Sequence, residues 1–206
     1  MTLLLLVRHG QTATTGAVLP GRRRGLHLSD AGRRQAEAVA RRIGALSRVA
    51  AVYSSPLERA WETAAPIAAA RRLRARLARG LSDLDIGGWT GLRLARARRR
   101  REWRIVQQRP STFRFPDGES FTEMQARMAG TLADLVARHP GRVVVAVSHA
   151  DPIKAAVAHA LGIPLDLFQR IAIAPASVTV LAYGNEAPML LTLNSRTGDL
   201  AWLQRK

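Results

Sequence analysis

Two histidines and two arginines follow short apolar segments of the sequence. The histidines are His9 and His149, and the arginines are Arg8 and Arg59. Arginine presents a planar fork of N–H donors that fits phosphate, and a neutral imidazole nitrogen can attack phosphorus directly. The chain has no cysteine, so a thiolate nucleophile and cysteine metal ligands are excluded. These residue types favour phosphoryl transfer over metal-assisted hydrolysis or acyl transfer.

Three buried strands are the elements that must bring these side chains together. Residues 3–7, 49–53 and 143–147 are short apolar runs, typical of a parallel sheet that is covered on both faces. Helical patterns follow each run, so strand and helix alternate along the chain. Open sheets of this kind bind ligands beyond the carboxyl ends of their strands. We therefore expect the histidines and arginines to meet at one edge of the sheet.

Capping residues predict where the helices begin. Ser29 is the predicted N-cap of the first helix, before a run of apolar residues at helical spacing. Ser55 and Glu58 predict a capping box around Pro56, so the second helix is expected to begin near that proline. A further helix is expected to begin at Asp151.

The predicted fold class is α/β, a three-layer αβα sandwich with a mostly parallel sheet. Residues 178–183 and 189–193 flank a Gly-Asn turn and predict a C-terminal hairpin. A length of 206 residues suits one domain, so we predict a single domain over residues 1–206.

The middle of the chain is rich in arginine and is expected to form a lid rather than core. Residues 71–79 and the segment 92–120 are assigned to it, the latter as a short helical cap. Within that cap, residues 93–104 have a pattern that predicts one mostly solvated helix.

The formal net charge is +17, and thirty of the 32 basic residues are arginine. A basic balance of this size is typical of proteins that bind nucleic acid or another polyanion. Arginine, alanine, glycine and proline all have GC-rich codons, so drift in composition explains the charge at least as well. We keep an arginine-rich nucleic-acid-binding or regulatory module as the alternative from a different class.

The sequence contains no apolar run of the roughly 20 residues that a membrane span requires. Residues 3–7 also lack the flanking features of a signal peptide. We expect a cytoplasmic protein without a membrane partner, and a homo-oligomer is compatible with the sequence.

The chain resembles the histidine phosphatases, also called the phosphoglycerate-mutase-like superfamily, over about residues 3–183. Six segments carry the resemblance in order, LLVRHGQT at 5–12, LSDAGRRQA at 28–36, VYSSPLERA at 52–60, LSDLDIGGWTG at 81–91, FPDGES at 115–120 and VSHA at 147–150. The resemblance implies a metal-independent phosphatase without a cofactor that acts on a small phosphorylated substrate. A phosphomutase of the same family is the first alternative, although only about thirty residues join Gly91 to Phe121, where glycolytic mutases have longer insertions.

Position by position, the resemblance implies that His9 is the phosphorylated nucleophile. It further implies that Arg8, Arg59 and His149 hold the phosphoryl oxygens and that Asp83 gives a proton to the leaving alcohol. Such a set is consistent with the physics, since positive groups stabilise the equatorial oxygens while an acid neutralises the departing alkoxide.

The resemblance implies that other residues bind phosphate or contact substrate. Thr15 replaces an asparagine found in many members, and Ala150 replaces a glycine, yet both keep a donor for phosphate. Gln11, Arg22 and Asp85 are expected to contact substrate, Gln11 as a variant of the commoner glutamate and Asp85 as the fallback acid. A solvated charge run is the competing explanation for Arg22 and its two neighbours.

Overall fold

Strand β1 (Thr2–Arg8) runs through the centre of the molecule and is buried along its length except at Arg8. A computed structural model describes residues 1–204 of the chain. Arg205 and Lys206, the last two residues of the predicted domain, lie outside the described residues.

The remaining strands are β2 (Val49–Ser54), β3 (Ala75–Leu77), β4 (Val143–Ser148), β5 (Val178–Tyr183) and β6 (Met189–Ser195). They form one six-stranded sheet in the order β3-β2-β4-β1-β5-β6. Strands β1 to β4 are parallel, and the terminal β5–β6 hairpin adds to β1 in the antiparallel sense. The predicted mostly parallel sheet with a C-terminal hairpin is confirmed.

The helices are α1 (Asp30–Gly44), α2 (Glu58–Ala70), α3 (Leu94–Ala97), α4 (Trp103–Gln108), α5 (Phe121–Arg138) and α6 (Ala150–Ala160). Side chains of β1 alternate between the two faces of the sheet. Leu5 packs in the core with residues of α1 and α2, whereas Leu4 packs with residues of α5 and α6. Full burial of such a leucine stabilises the fold by about 1.5–3 kcal/mol. The three-layer αβα sandwich is confirmed.

The three helix starts lie within two residues of their predicted positions, but one predicted cap is wrong. The Ser29 hydroxyl accepts a hydrogen bond from the Gly32 N–H at 3.1 Å, as an N-cap should. The predicted capping box of Ser55 and Glu58 does not form, because α2 begins at Glu58 with no side-chain cap. The Ser55 hydroxyl lies instead 2.8 Å from the imidazole Nε2 of His149.

The assignment of residues 71–79 to the lid is also wrong, because this stretch contains β3. That short strand pairs in parallel with β2 and forms the edge of the sheet. Its exposed residues explain why the sequence resembles a surface segment.

The cap contains two short helices, α3 and α4, rather than the single helix predicted over residues 93–104. Ala97 in α3 and Val106 in α4 are both buried. Nine positions of a continuous helix turn through about 900°, which would place these two residues on opposite faces. The break between the helices lets both face the core.

A cluster of aromatic side chains joins the cap to the core. Trp89, Phe113 and Phe115 pack with ring centroids 5.0 to 5.8 Å apart, and Phe121 and Phe168 extend the same cluster. Arg100 of the cap lies over the Trp89 ring at 5.2 Å.

Across residues 1–204, the structure has no helix of the length and apolarity that crossing a membrane requires.

Candidate active site

The register of the sheet brings the two histidines together. Arg8 at the end of β1 pairs with Ser148 at the end of β4, and the His9 N–H donates to the Ser148 carbonyl at 3.0 Å. The next residue on each strand is a histidine, and the His9 and His149 ring centroids are 5.1 Å apart. The strand ends therefore place both imidazoles at one edge, as the sequence predicts.

The hydrogen bonding of His9 defines its tautomer. Its Nδ1 lies 2.7 Å from the Gly10 carbonyl oxygen. A carbonyl can only accept, so Nδ1 carries the proton and Nε2 keeps its lone pair. Burial lowers the pKa of His9 well below its ordinary value, and His149, Arg59 and Arg8 lower it further. His9 is therefore a neutral imidazole with a free nitrogen.

His149 is almost completely buried beside it. Its Nε2 contacts the Ser55 hydroxyl at 2.8 Å, and its Nδ1 lies 3.4 Å from an Asp83 carboxylate oxygen. Burial lowers the pKa of His149 well below its ordinary value, and the positive charges of Arg59 and Arg8 reinforce that effect. Ser55 is thus a site residue that its local capping pattern concealed.

Both predicted arginines are held by carbonyl groups. Arg8 donates to the Ile173 carbonyl at 2.7 Å, and Arg59 donates to the Gly21 carbonyl at 2.7 Å. Arg59 is fully buried and also contacts the Asp83 carboxylate at 3.0 Å. Among residues 1–204, neither arginine Nε–H finds an acceptor. An unpaired buried donor costs about 1–3 kcal/mol, so two of them beside the histidines suit an anionic ligand.

A cavity of about 330 Å³ opens at this edge of the sheet. The predicted site residues in its wall are Arg8, His9, Thr15, Asp83, His149 and Ala150. Four other predicted residues are not in the wall, and these are Gln11, Arg22, Arg59 and Asp85. Arg59 is fully buried next to the wall, and its guanidinium lies 3.0 Å from the carboxylate of Asp83.

The loop after β1 is shaped by backbone packing. The Thr15 hydroxyl accepts from the Thr12 N–H at 2.9 Å, and the Gln11 N–H donates to Gln35 at 2.9 Å. A Cβ at Gly10 would lie 2.6 Å from the carbonyl oxygen of Gly32, so glycine here permits close contact with the start of α1.

A lattice of charged residues holds the loop that bears Asp83. We call Arg22, Asp85, Glu119 and Arg127 the acid-loop lattice. Arg22 donates to the Asp83 carbonyl at 2.9 Å and Arg127 donates to the same carbonyl at 3.3 Å. Glu119 joins the two arginines, with oxygens 3.0 Å from Arg22 and 2.7 Å from Arg127. Arg22 and Asp85 thus position the loop, rather than lining the cavity.

Glu119 and Arg127 were not predicted as site residues. Glu119 lies in the FPDGES segment, which is the only sequence signal for it, whereas Arg127 resembles any helix-surface arginine. Burial acts to raise the pKa of Glu119, but the hydrogen bonds and charge of Arg127 outweigh it, so the pKa is lowered. Glu119 is therefore an ionised carboxylate between two guanidinium groups.

The positions of the acidic and histidine side chains bear on whether the site could bind a metal ion. Within residues 1–204, no three histidine, aspartate or glutamate side chains form a group that could hold a metal ion. The carboxylate of Asp83 contacts Arg59 and His149 instead.

Comparison with known proteins identifies the family. The model of the histidine phosphatase superfamily, branch 1, matches residues 4–196. The chain belongs to this superfamily, which confirms the predicted resemblance.

Curated relatives differ in length. A bifunctional protein of Mycobacterium tuberculosis is 31% identical over 204 residues, which are 97% of this chain and 55% of that protein. The chain therefore spans about half the length of that relative. Phosphoserine phosphatase 1 of Hydrogenobacter thermophilus is 30% identical over 199 residues, 94% of this chain and 92% of that protein.

Solved structures share the fold. A mycobacterial glucosyl-3-phosphoglycerate phosphatase has a TM-score of 0.83 at 29% identity, covering 94% of this chain and 98% of its own. A phosphoserine phosphatase mutant of Entamoeba histolytica, in complex with phosphoserine, has a TM-score of 0.85 at 26% identity. That match covers 95% of this chain and 98% of the other.

Proposed function

We propose that this chain hydrolyses a small phosphomonoester through a phosphohistidine on His9. The observation that carries the proposal is a neutral, buried His9 whose free Nε2 lies in a cavity wall with His149, Arg8 and Asp83. The two unpaired arginine Nε–H groups supply donors for the phosphoryl oxygens.

In the first step, the Nε2 lone pair of His9 forms a bond to phosphorus while the ester P–O bond breaks. Arg8, Arg59 and His149 stabilise charge on the phosphoryl oxygens. Asp83, in its acid form, gives its proton to the departing alkoxide.

In the second step, water attacks the phosphohistidine and the N–P bond breaks. The Asp83 carboxylate accepts the proton of that water, so inorganic phosphate leaves and both His9 and Asp83 return to their starting forms. A phosphomutase would instead return the phosphoryl group to an alcohol. Liberation of inorganic phosphate in step with ester consumption distinguishes the two activities.

We propose a soluble metabolite as substrate and the cytoplasm as the site of action. One relative is named phosphoserine phosphatase 1, and one structural neighbour is a glucosyl-3-phosphoglycerate phosphatase. The substrates in both names are small phosphate esters. A cavity of about 330 Å³ suits a ligand of that size.

The direct test is to trap the phosphoenzyme. The chain is mixed with a ³²P-labelled ester, quenched without acid, and tested for label that is stable to alkali and released by acid, as a phosphoramidate is. His9→Ala should lose both label and turnover, while His159→Ala should keep both, since His159 is exposed outside the cavity wall.

The same assay in EDTA should proceed at the full rate, because the proposed steps use no metal. Label on a serine or an aspartate, or normal turnover by His9→Ala, would refute the proposal.

A further inference from the structure

The first turn of α6 adds a pair of opposite charges to the cavity. Asp151 and Lys154 both lie in its wall, beside Ala150. The Lys154 ammonium is 3.2 Å from an Asp151 carboxylate oxygen and 3.0 Å from the side-chain oxygen of Gln169. An ammonium has three N–H donors, so one remains for a ligand.

This pair differs from the ordinary salt bridges on the helices. The side chains of Lys154 and Asp151 are 15% and 32% exposed, whereas those of Arg138 and Asp134 on α5 are 65% and 71% exposed. A solvated helix pair contributes about 0–1 kcal/mol and needs no cavity. Lys154 is also the only lysine among residues 1–204, in a chain with thirty arginines.

A second, smaller cavity adjoins the first beside Asp151. It has a volume of about 180 Å³ and shares Leu19, Leu84, Ile86 and Asp151 with the larger cavity. Gln169, which accepts from Lys154, is also in its wall. Asp151 therefore lies in the wall of both cavities, within reach of the charge of Arg8, and Lys154 lies beside it in the wall that contains His9.

The charges on this pair are complementary to those of a zwitterion. An anionic alcohol would gain from Lys154 and lose to Asp151, and a cationic one would meet the reverse. An alcohol with both an ammonium and a carboxylate satisfies both side chains. Resting on the function proposed above, we propose that Asp151 and Lys154 form the leaving-group site for the phosphate ester of a hydroxy amino acid.

Four esters with the same phosphorylated carbon test the two charges separately. Phosphoserine carries both groups, 3-phosphoglycerate lacks the ammonium, phosphoethanolamine lacks the carboxylate, and glycerol 3-phosphate lacks both. The kcat/KM for phosphoserine should exceed that of each single-charge ester by about tenfold or more, and glycerol 3-phosphate should be poorest.

The ratio of kcat/KM between two esters shows the effect of one residue on one charged group. A general loss of folding or of phosphate binding lowers both values and therefore cancels. Lys154→Met should lower the phosphoserine to phosphoethanolamine ratio about ten- to hundredfold, and Lys154→Arg should restore much of it. Asp151→Asn should lower the phosphoserine to 3-phosphoglycerate ratio instead. Arg138→Met, which breaks the exposed pair on α5, should leave all ratios unchanged.

The two proposals fail in different ways. If p-nitrophenyl phosphate and all four esters resist hydrolysis, the proposed function is wrong. If they are hydrolysed with similar kcat/KM, or if neither pocket variant changes its ratio, the leaving-group site is wrong while the phosphatase function stands.

Discussion

Burial lowers the pKa of the two site histidines, whereas the exposed His27 meets the opposite influence. The pKa of His9 and of His149 is lowered below 6.5, in each case by burial first. His27 is exposed, and its hydrogen bond to Glu62 raises its pKa above that value. The environment alone thus lowers the pKa of two histidines of this chain and raises the pKa of a third.

The order of histidine titration can be tested by NMR. As pH falls, the His27 ring should become protonated first, and the rings of His9 and His149 should remain neutral below pH 6.5. Between the folded and unfolded pKa values, the unfolded chain binds more protons, so these two histidines make the free energy of unfolding fall as pH drops below about 6.5. Imidazole resonances, assigned with His9→Ala, and urea unfolding against pH provide the measurements. Titration of His9 at or above pH 6.5 would contradict the assignment.

The acid role of Asp83 has a signature in the leaving group. Asp83→Asn should slow hydrolysis of alkyl phosphates by about 10²–10⁴-fold, because the alkoxide then departs without a proton. p-Nitrophenyl phosphate should lose much less, since nitrophenolate is a stable anion. Asp85→Asn is the matched variant and should show at most a weak form of this dependence, because Asp85 holds the loop but lies outside the cavity wall. Equal losses on both ester types in Asp83→Asn would assign that residue a structural role.

At the scale of elements, the acid-loop lattice joins segments that are distant in sequence. Glu119→Gln removes the charge shared by Arg22 and Arg127, and should reduce the free energy of unfolding by about 1.5–3 kcal/mol. Because the pKa of Glu119 is lowered, its stabilisation is present above its ordinary value of 4.5 and is lost as pH falls.

Urea unfolding measures this loss, with Glu37→Gln on the exposed face of α1 as the control. A positioning role predicts a second effect in Glu119→Gln, namely a weaker form of the leaving-group dependence of Asp83→Asn. Lower stability with an unchanged dependence would restrict the lattice to a structural role.

The cap contributes to the cavity through Leu94, at the start of α3. Leu94→Ala removes apolar contact area, so KM for p-nitrophenyl phosphate should rise about three- to tenfold with little change in kcat. Arg99→Ala is the comparison, because Arg99 is exposed and not in the wall. Steady-state kinetics decide, and a similar effect of both variants would mean that the cap acts through its charge.

The sequence patterns predicted the features that depend on the strands, and they missed the features that depend on contacts between distant segments. The apolar runs give the sheet, and the residue after each run gives His9 and His149, because strand ends share an edge. Ser55 was assigned to a local cap, yet a partner 94 residues away uses its hydroxyl. The break between α3 and α4 likewise follows from two buried residues whose facing direction depends on the rest of the fold.

Some of the arginines behind the strong positive charge of the molecule stabilise its fold. Several arginines fasten loops by donating to backbone carbonyls. Arg42 donates to Ser195, Thr197 and Gly198, and Arg71 donates to Gly44 and Ser47. Part of the arginine content therefore stabilises the fold, independently of any anionic partner.

The field of a molecule with a net charge of +17 should also attract phosphate esters. The kcat/KM for a dianionic ester should fall several-fold as ionic strength rises from about 0.01 to 0.15 M, with kcat nearly constant. Stopped-flow or steady-state rates against NaCl measure this effect. Duplex DNA that binds tightly at physiological salt and leaves hydrolysis untouched would favour the nucleic-acid-binding alternative instead.

The strand order also determines when the edge that bears His9 and His149 can form during translation. Strand β1 is made first, yet both of its neighbours, β4 and β5, come from the second half of the chain, and Leu3 pairs with Val143. A nascent chain must keep this apolar strand unpaired for about 140 residues of synthesis. The delay costs loop-closure entropy and leaves an unpaired strand edge that is prone to aggregation. The residue that we propose as the nucleophile is thus translated before β4 and β5 and acquires its surroundings only after them.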